Sequence, residues 1–395
     1  MRPGPTSSAP SLRLDPLLLF PVLALVALGL IMVYSASAVM AGEKLGNSFY
    51  YLERQGIAAL LGLGAMGLAL KIGYRRLARM AYPMLLVALV LLVAVLIPGV
   101  GTSAGGAQRW IRFPGGFSLQ PAEVAKAAWV VYLSYSLAKK REKVATFSVG
   151  FLPHALLGGV LILLCMKQPD FGSSVLILTL MFVLLFAAGT KISYLVLSIL
   201  LALPVGYHLI ASSPYRMRRI LAFLDPWANR HDVGYQIAES LMSIGSGGAT
   251  GLGLGDGRQK LFFLPEAHTD FIYAIIAEEL GLVGVAVLVL LYGIIILRGL
   301  YVSMKAPETF GSYLALGVTS IIAFQAIVNM CVAMGLLPTK GLTLPFISYG
   351  GSSLIMMMGA AGVLLSISAA SLPAPEAVPA RGTTGSRPAV REVVA

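Results

Sequence analysis

Apolar stretches of roughly 20 residues, the length of a membrane-spanning helix, recur along most of the chain. A β-barrel is not expected, because its strands would alternate in polarity. The pattern predicts an all-α polytopic membrane protein with about ten transmembrane helices. The predicted spans cover roughly 17–40, 55–72, 77–97, 119–138, 150–168, 172–189, 192–211, 269–298, 310–336 and 350–371.

Charge is scarce in this sequence and unevenly distributed. Of 395 residues, 57% are hydrophobic and 12% charged, and the net charge is +12. Lysine and arginine concentrate in loops that follow even-numbered spans, so the positive-inside rule places these loops and both termini in the cytoplasm. The basic excess therefore follows from topology, with anionic membrane lipids as its partner, and no nucleic acid is needed to explain it. The basic loop residues are Lys71, Arg75, Arg76, Arg79, Lys139, Lys140, Arg141, Lys143, Arg298 and Lys305.

The domain organisation predicted from these features is one ten-helix membrane unit, residues 15–372, between two tails. The tails, 1–14 and 373–395, are rich in proline and are predicted to be disordered and cytoplasmic. The segment 212–268, between spans 7 and 8, is far longer than a connection requires, which predicts a large, functional extracytoplasmic loop. Basic and apolar residues alternate over 215–224, a pattern typical of an interfacial helix that would hold Arg216 near phosphates.

A glycine-rich run at 245–257 follows in the same loop. Its glycines allow either a backbone nest that binds anions or a flexible hinge. The run lacks the Gly-Lys-Ser/Thr ending of a Walker loop, and no strand precedes it as a dinucleotide site would require.

Asp270 places a carboxylate where the polar loop meets the apolar stretch behind it. One interpretation is that Asp270 or Thr269 caps the following helix. The other is a functional acid above a groove, because small side chains lie below Asp270 on the same helix face. Those small residues are Ala274, Ala277 and Gly281. The acids Glu278 and Glu279 also lie in this span, and the sequence assigns them no role.

Five other charged or aromatic positions flank the spans on the outer side. Arg109 and Trp110, in the loop after span 3, suit a phosphate and a sugar or, alternatively, a lipid head group and the interfacial aromatic belt. Glu123 and Lys126 share one helix face and form either a simple ion pair or part of a cavity. Lys340 is the only charge in the last external loop and can meet either an acid or an anionic ligand.

Five motifs follow one another in a specific order along the chain. They are GAQRWI at 106–111, QPAE at 120–123, QPDFG at 168–172, PEAHTDF at 265–271 and PTKGLTLP at 338–345. Each alone is a weak signal, whereas the five in order are a strong one. With them the chain resembles the SEDS family (shape, elongation, division and sporulation) over nearly all of its span region, and the last motif is closest to the division branch.

The resemblance implies ten transmembrane helices and a peptidoglycan glycosyltransferase. Such an enzyme polymerises lipid II on the outer face of the bacterial cytoplasmic membrane, here in septal cell-wall synthesis at the division site. It also implies a class B penicillin-binding protein as the transpeptidase partner, together with other division proteins. The family's essential aspartate falls on Asp270, its charged pair on Glu123 and Lys126, and its loop arginine and tryptophan on Arg109 and Trp110.

This chemistry suits the residue types. We expect Asp270 to act as general base on the sugar C4 hydroxyl while undecaprenyl pyrophosphate leaves the other sugar. The leaving group needs positive charge, for which a divalent cation such as Mg²⁺ or Mn²⁺ is an alternative source, although no ligand cluster indicates one. The isolated Cys165 and Cys331 indicate neither a metal site nor a disulfide. The candidate cations are Arg109, Lys126, Arg216 and Lys340.

Other functions remain open at this stage. A lipid II transporter (flippase) would also use intramembrane charges, but it should place them near the midplane, whereas these lie at the outer edge. An elongation-type polymerase of the same family is a second alternative. A scaffold that only recruits the partner synthase is a third, and it would not need Asp270.

Overall fold

The computed structural model describes residues 14–104, 107–113, 117–212, 214–230, 234–257, 267–339 and 341–371. Within these ranges the chain is mostly α-helical, with one small antiparallel sheet of order β1-β2-β3. The helices are α1 Pro16–Leu45, α2 Tyr50–Ile72, α3 Tyr74–Ala94, α4 Pro121–Lys140, α5 Leu152–Lys167, α6 Phe171–Ala187, α7 Ile192–Ala211, α8 Pro214–Leu224, α9 Tyr235–Gly247, α10 Ile272–Lys305, α11 Thr309–Ala333 and α12 Gly351–Ser371. The strands are β1 Gly101–Ala104, β2 Ala107–Arg112 and β3 Ser118–Leu119.

The helical, polytopic membrane architecture is confirmed. In the described part of the chain, seven helices are long and apolar enough to cross a bilayer: α1, α2, α3, α5 with the helical turn before it, α10, α11 and α12. The apolar helices α6 and α7 are shorter, and α4 carries a charged pair. Ten helices coincide with the ten predicted spans, and the count of ten membrane crossings stays a prediction. The predicted tails lie outside the described residues apart from Leu14.

Small residues set the helix packing, as expected where lipid is as apolar as the side chains and packing must hold helices together. Helix α12 lies against α2, and a Cβ at Gly362 would stand 2.4 Å from the backbone oxygen of Met66. At the N-terminal end of α1, Asp15 accepts hydrogen bonds from Arg298 (2.8 Å) and Ser368 (2.6 Å). That single buried carboxylate joins α1 to α10 and α12.

Helix α10 is broken near its start. Gly281 has φ 63° and ψ −163°, outside the helical region. The residues before it, from Ile272 to Glu279, are buried within the protein, whereas Leu282 and Val283 directly after it are exposed. The predicted span 269–298 corresponds to α10, and the exposed part of that helix begins after Gly281.

The glycine-rich run packs against this break. Gly248 O and Ala249 O accept hydrogen bonds from the backbone N–H groups that follow Gly281, at 3.0 and 3.1 Å. A Cβ at Gly247 would lie 1.9 Å from Ala277 O, and one at Gly251 would lie 2.2 Å from Glu279 O. The predicted groove below Asp270 is thus filled by the protein's own backbone, and glycine is required here for close approach.

The long loop 212–268 contains two helices, α8 and α9. A helix is present as α8 where the interfacial helix is predicted, and its position at the interface stays a prediction. The sheet was not predicted: β1 and β2 form a hairpin in the loop after α3, with an irregularity between Thr102 and Ser103, and β3 leads directly into α4. This hairpin carries Arg109 and Trp110.

Candidate functional site

Asp270 lies in the turn 267–270 that leads into α10. Its backbone oxygen accepts a hydrogen bond from the Asn329 side chain of α11 (2.9 Å), and Thr269 O accepts one from Ser348 (2.6 Å). The N-cap residue of α10 is Phe271, which makes no side-chain cap hydrogen bond. The turn is instead held from outside, by α11 and by the segment that precedes α12.

The described residues 335–339 and 341–350 supply the opposite wall of the site. The Asn329 amide donates to Leu342 O (2.7 Å) as well as to Asp270 O. One side chain therefore fixes both segments of the backbone. A Cβ placed on Gly341 would lie 3.4 Å from Asp270 Oδ2 and 3.7 Å from Arg109 Nη1. The carboxylate and the guanidinium therefore face the same point on the backbone, and glycine leaves that point open.

Arg109 is held rigidly by the loop between α5 and α6. Its guanidinium donates to Gln168 O (3.1 Å) and Pro169 O, while the Gln168 amide donates to Leu92 O (3.1 Å). The planar fork of an arginine suits two such carbonyls at once, and a lysine would not reproduce it. Arg109 thus presents its remaining nitrogen toward Gly341 with little freedom.

Trp110 follows Arg109 in β2. Its backbone oxygen accepts a hydrogen bond from the Thr102 hydroxyl (3.1 Å), and its ring is half-buried. Arg109 is the extra residue of β2 at the irregularity in its pairing with β1, where Thr102 pairs with Trp110 and Ser103 with Gln108. The contact with the Gly341 position beside Asp270 is made by Arg109.

The turn at 167–174 has the structural role that its Pro-Asp and Gly residues favour. Asp170 accepts hydrogen bonds from Ser173 N (3.0 Å) and Ser173 Oγ (2.8 Å), which begins α6. Its carboxylate also accepts from Gln120 Nε2 (3.2 Å), and Gln120 N donates to Ser352 Oγ (3.3 Å). Through these contacts the turn that holds Arg109 is fixed to the starts of α4 and α12.

Glu123 and Lys126 form a buried ion pair one turn into α4. The distance between Lys126 Nζ and Glu123 Oε1 is 2.6 Å, and the two side chains are 0% and 5% exposed. The ion pair that the spacing allows is thus present, and it is buried rather than exposed. Within the described residues Glu123 Oε2 has no hydrogen-bond partner, so the pair is only partly satisfied. Burial of this kind makes each charge dependent on the other.

Removing either charge alone is expected to destabilise the protein more than removing both. Lys126→Met leaves a buried carboxylate without its cation, at a cost of about 3–5 kcal/mol, and Glu123→Gln leaves the ammonium in the same position. The double variant leaves neither. Unfolding midpoints of the purified protein in detergent, measured for all four members of this cycle, test the coupling. Additive losses would contradict it.

An aromatic group beside the Asp270 turn was missed from the sequence. The ring centroids of Tyr51 and His268 are 4.5 Å apart, and the ring of Tyr349 lies 5.0 Å from Tyr51 and 5.6 Å from His268. Burial raises the pKa of the Tyr349 hydroxyl, against the opposing effect of Arg54. The available signal was Arg54 with Gln55, two polar residues at the start of an apolar stretch. Gln55 donates to Ser348 O at 3.1 Å.

Two predicted site residues lie outside what the structure describes. Lys340 is outside the described residues, and Arg216 lies in α8 with its side chain undescribed. Arg219, three residues further on the same helix face, donates to Thr339 O (3.3 Å). Helix α8 therefore contacts the same segment that faces Asp270, which is consistent with a role for its basic face.

The described residues contain no group of three or more His, Cys, Asp or Glu side chains that could hold a metal ion. Asp270 offers one carboxylate, so a divalent cation at this site would take most of its ligands from substrate phosphates and water, an arrangement that Mg²⁺ tolerates. Among the described residues, the Arg109 guanidinium is the cationic group that faces the same point as Asp270.

The described parts of all five motifs meet at one place. The hairpin, the start of α4, the turn before α6, the Asp270 turn and the segment 341–345 are joined by the contacts above, although they are far apart in sequence. A family model described as cell cycle protein, which covers FtsW, RodA and SpoVE, matches residues 16–372. The chain belongs to this family. The resemblance to the SEDS family is thereby confirmed.

Relatives in the family match the chain over most of its length. A probable peptidoglycan glycosyltransferase FtsW of Geobacter sulfurreducens is 50% identical over 356 residues, covering 90% of this chain and 95% of the relative. Stage V sporulation protein E of Bacillus subtilis is 42% identical over 354 residues, covering 90% and 96%.

Solved structures of family members have the same fold. One chain, from a structure on the coordination of polymerization and crosslinking by a peptidoglycan synthase complex, has a TM-score of 0.76 and 33% identity and covers 91% of this chain and 98% of its own. The rod shape determining protein RodA of Thermus thermophilus has a TM-score of 0.65 and 31% identity, with coverage of 90% and 96%.

Proposed function

We propose that this protein is a peptidoglycan glycosyltransferase that polymerises lipid II during cell division. The observation that carries the proposal is the placement of Asp270 and Arg109 on either side of Gly341, at the meeting point of five motifs. The activity is that of the relatives named FtsW, and their naming supports the division role over an elongation role.

Asp270 is assigned the role of general base. The C4 hydroxyl oxygen of one lipid-linked sugar attacks the anomeric carbon of another, Asp270 accepts the hydroxyl proton, and the bond from that carbon to undecaprenyl pyrophosphate breaks with inversion. The external contacts of the turn with Asn329 and Ser348 hold the carboxylate in place before substrate arrives. Such preorganisation avoids the cost of ordering the base during reaction.

Arg109 is assigned to the departing pyrophosphate. A guanidinium fixed by two carbonyls stabilises developing negative charge without having to reorganise. Arg216 and Lys340 stay candidates for the same anion, and Trp110 for sugar binding. Lys126 is better placed as a positioning residue, since it is buried and paired with Glu123 at the base of the site.

A class B penicillin-binding protein is the proposed partner, with other division proteins at the septum. The related chain of TM-score 0.76 comes from a structure on a peptidoglycan synthase complex that coordinates polymerization and crosslinking, which supports such a partner. The proposed orientation places both termini in the cytoplasm and the Asp270 site on the outer face, because basic residues concentrate in the opposite loops.

The proposed function is tested with purified lipid II and the full chain in proteoliposomes, with and without its cognate penicillin-binding protein. Glycan strands are expected from lipid II, with the transpeptidase-inactive partner sufficient to support them. Movement of lipid II across the bilayer without polymer would favour the transporter, and neither result in the presence of the partner would favour the scaffold. Rescue of rod shape but not of division in depleted cells would favour the elongation role.

A further inference from the structure

A basic groove opens at the end of the molecule opposite Asp270. It lies where α3, the C-terminal end of α4 and the start of α11 meet. Helix α4 has 20 residues and is about 30 Å long, so the groove is about that far from the N-terminal end of α4, beside the Asp270 site. The cavity volume of the groove is about 280 Å³, just below the usual range of small-molecule pockets. Three cationic residues line it: Arg75 of α3, Lys139 of α4, and Arg141, which directly follows α4.

The charges of this groove are only partly balanced from within. Glu308 is the one acid among the lining residues, and it pairs with Arg75 at 2.7 Å. Both partners are well exposed, at 66% and 44%, so this pair is weak and open to competition by another anion. Lys139 lies 5.9 Å from the Tyr135 ring centroid, and Arg141 donates to the Thr309 hydroxyl. The groove is therefore lined by three cationic side chains and one carboxylate, and its net charge is positive.

An apolar surface continues from the groove toward the membrane. Ala78 lines the groove, and the exposed residues Tyr82 and Leu86 follow it at four-residue intervals on the same face of α3. The Tyr82 ring packs edge-on against Tyr135 at 5.8 Å, so the groove wall and this strip are continuous. A ligand with a charged end and a long apolar end fits that arrangement.

The geometry points to a binding site for the head group of an anionic phospholipid, with its phosphate at Arg75, Lys139 and Arg141 and an acyl chain along α3. The groove lies on the side with the basic loops, where anionic lipids attract clustered Lys and Arg. A bound head group would hold together the ends of α3, α4 and α11. The inference is independent of the proposed catalytic role.

Native mass spectrometry of the purified full chain, delipidated and titrated with phosphatidylglycerol, tests the site. The Lys139→Gln/Arg141→Gln variant is expected to bind the first lipid about tenfold or more weakly than the unchanged protein. Both of the removed cations line the groove and would contact the lipid phosphate. The matched control, Arg76→Gln/Arg79→Gln, removes two exposed charges that do not line the groove. It is expected to bind within about twofold of the unchanged protein.

Three outcomes would overturn the proposal. Equal weakening in both variants would indicate diffuse surface attraction. Phosphatidylcholine bound as tightly as phosphatidylglycerol would remove the role of net charge, and glycerol phosphate bound as tightly would indicate a soluble anion site without an acyl strip. If the groove variant does not fold, Glu308→Gln replaces it. That change frees Arg75 and should tighten phosphatidylglycerol binding, and unchanged or weaker binding would overturn the proposal.

Discussion

Replacing Asp270 with asparagine is expected to lower the rate of glycan polymerisation by about two to four orders of magnitude, the usual contribution of a general base. Asparagine keeps the size of the side chain and the main-chain hydrogen bond from Asn329, but it cannot accept the hydroxyl proton. Folding and lipid II binding should therefore persist. The measurement is kcat and KM for polymerisation of purified lipid II. The loss is expected in kcat, with KM nearly unchanged.

Asp256→Asn is the matched control. Asp256 is an exposed acid in the segment between α9 and α10, so the identical chemical change there should leave the rate unaltered. A rate for Asp270→Asn within about tenfold of the unchanged protein would remove Asp270 from the role of base. A comparable loss in Asp256→Asn would instead indicate a general effect of loop charge on substrate capture.

Gly281→Ala is expected to abolish accumulation of folded protein. With φ 63° and ψ −163°, Gly281 lies in a backbone region that is almost restricted to glycine and costs other residues about 1–3 kcal/mol. A Cβ there would also lie 2.2 Å from Gly251 N and 2.7 Å from Ala249 O, so the glycine-rich run would have to move. Overpacking adds about 1–3 kcal/mol, and the sum is a large part of a typical folding free energy.

Gly293→Ala, in the regular part of the same helix, provides the comparison. A Cβ at Gly293 meets no atom within 4 Å, so alanine should raise helix stability by about 0.5–1 kcal/mol. Yield after detergent extraction and the unfolding temperature distinguish the two variants. Normal yield and an unchanged unfolding temperature for Gly281→Ala would show that the break in α10 tolerates a side chain.

The membrane helices were predictable from the sequence because each depends on its own composition. A run of apolar residues long enough to cross the bilayer must satisfy its backbone hydrogen bonds internally, and a helix does so without a partner. Asp270 and Arg109 were also found from sequence, through motif order. Their meeting at Gly341 was not, because it depends on backbone contacts between segments distant in the chain.

The errors share a physical cause. From the sequence, Gly281 was assigned to a groove of small side chains. In the structure a glycine is needed there because Gly251 packs directly against it, and no local sequence pattern indicates that tertiary contact. The Glu123–Lys126 spacing predicts an ion pair equally well on a surface or in a core, and only the packing around α4 decides between them. No partner for Glu279 was indicated by the sequence either. In the structure the Ser35 hydroxyl donates a hydrogen bond to its carboxylate at 2.7 Å.

The position of Gly341 has a consequence for the newly made protein. The hairpin with Arg109 and the turn with Asp270 are both synthesised before the segment that lies between them. A nascent chain that has inserted α1 to α11 therefore carries both reactive groups but lacks the wall that brings them to one point. On the proposed function, catalytic competence would arise only when this segment is in place and α12 has inserted, so a ribosome-bound intermediate should be inert toward lipid II.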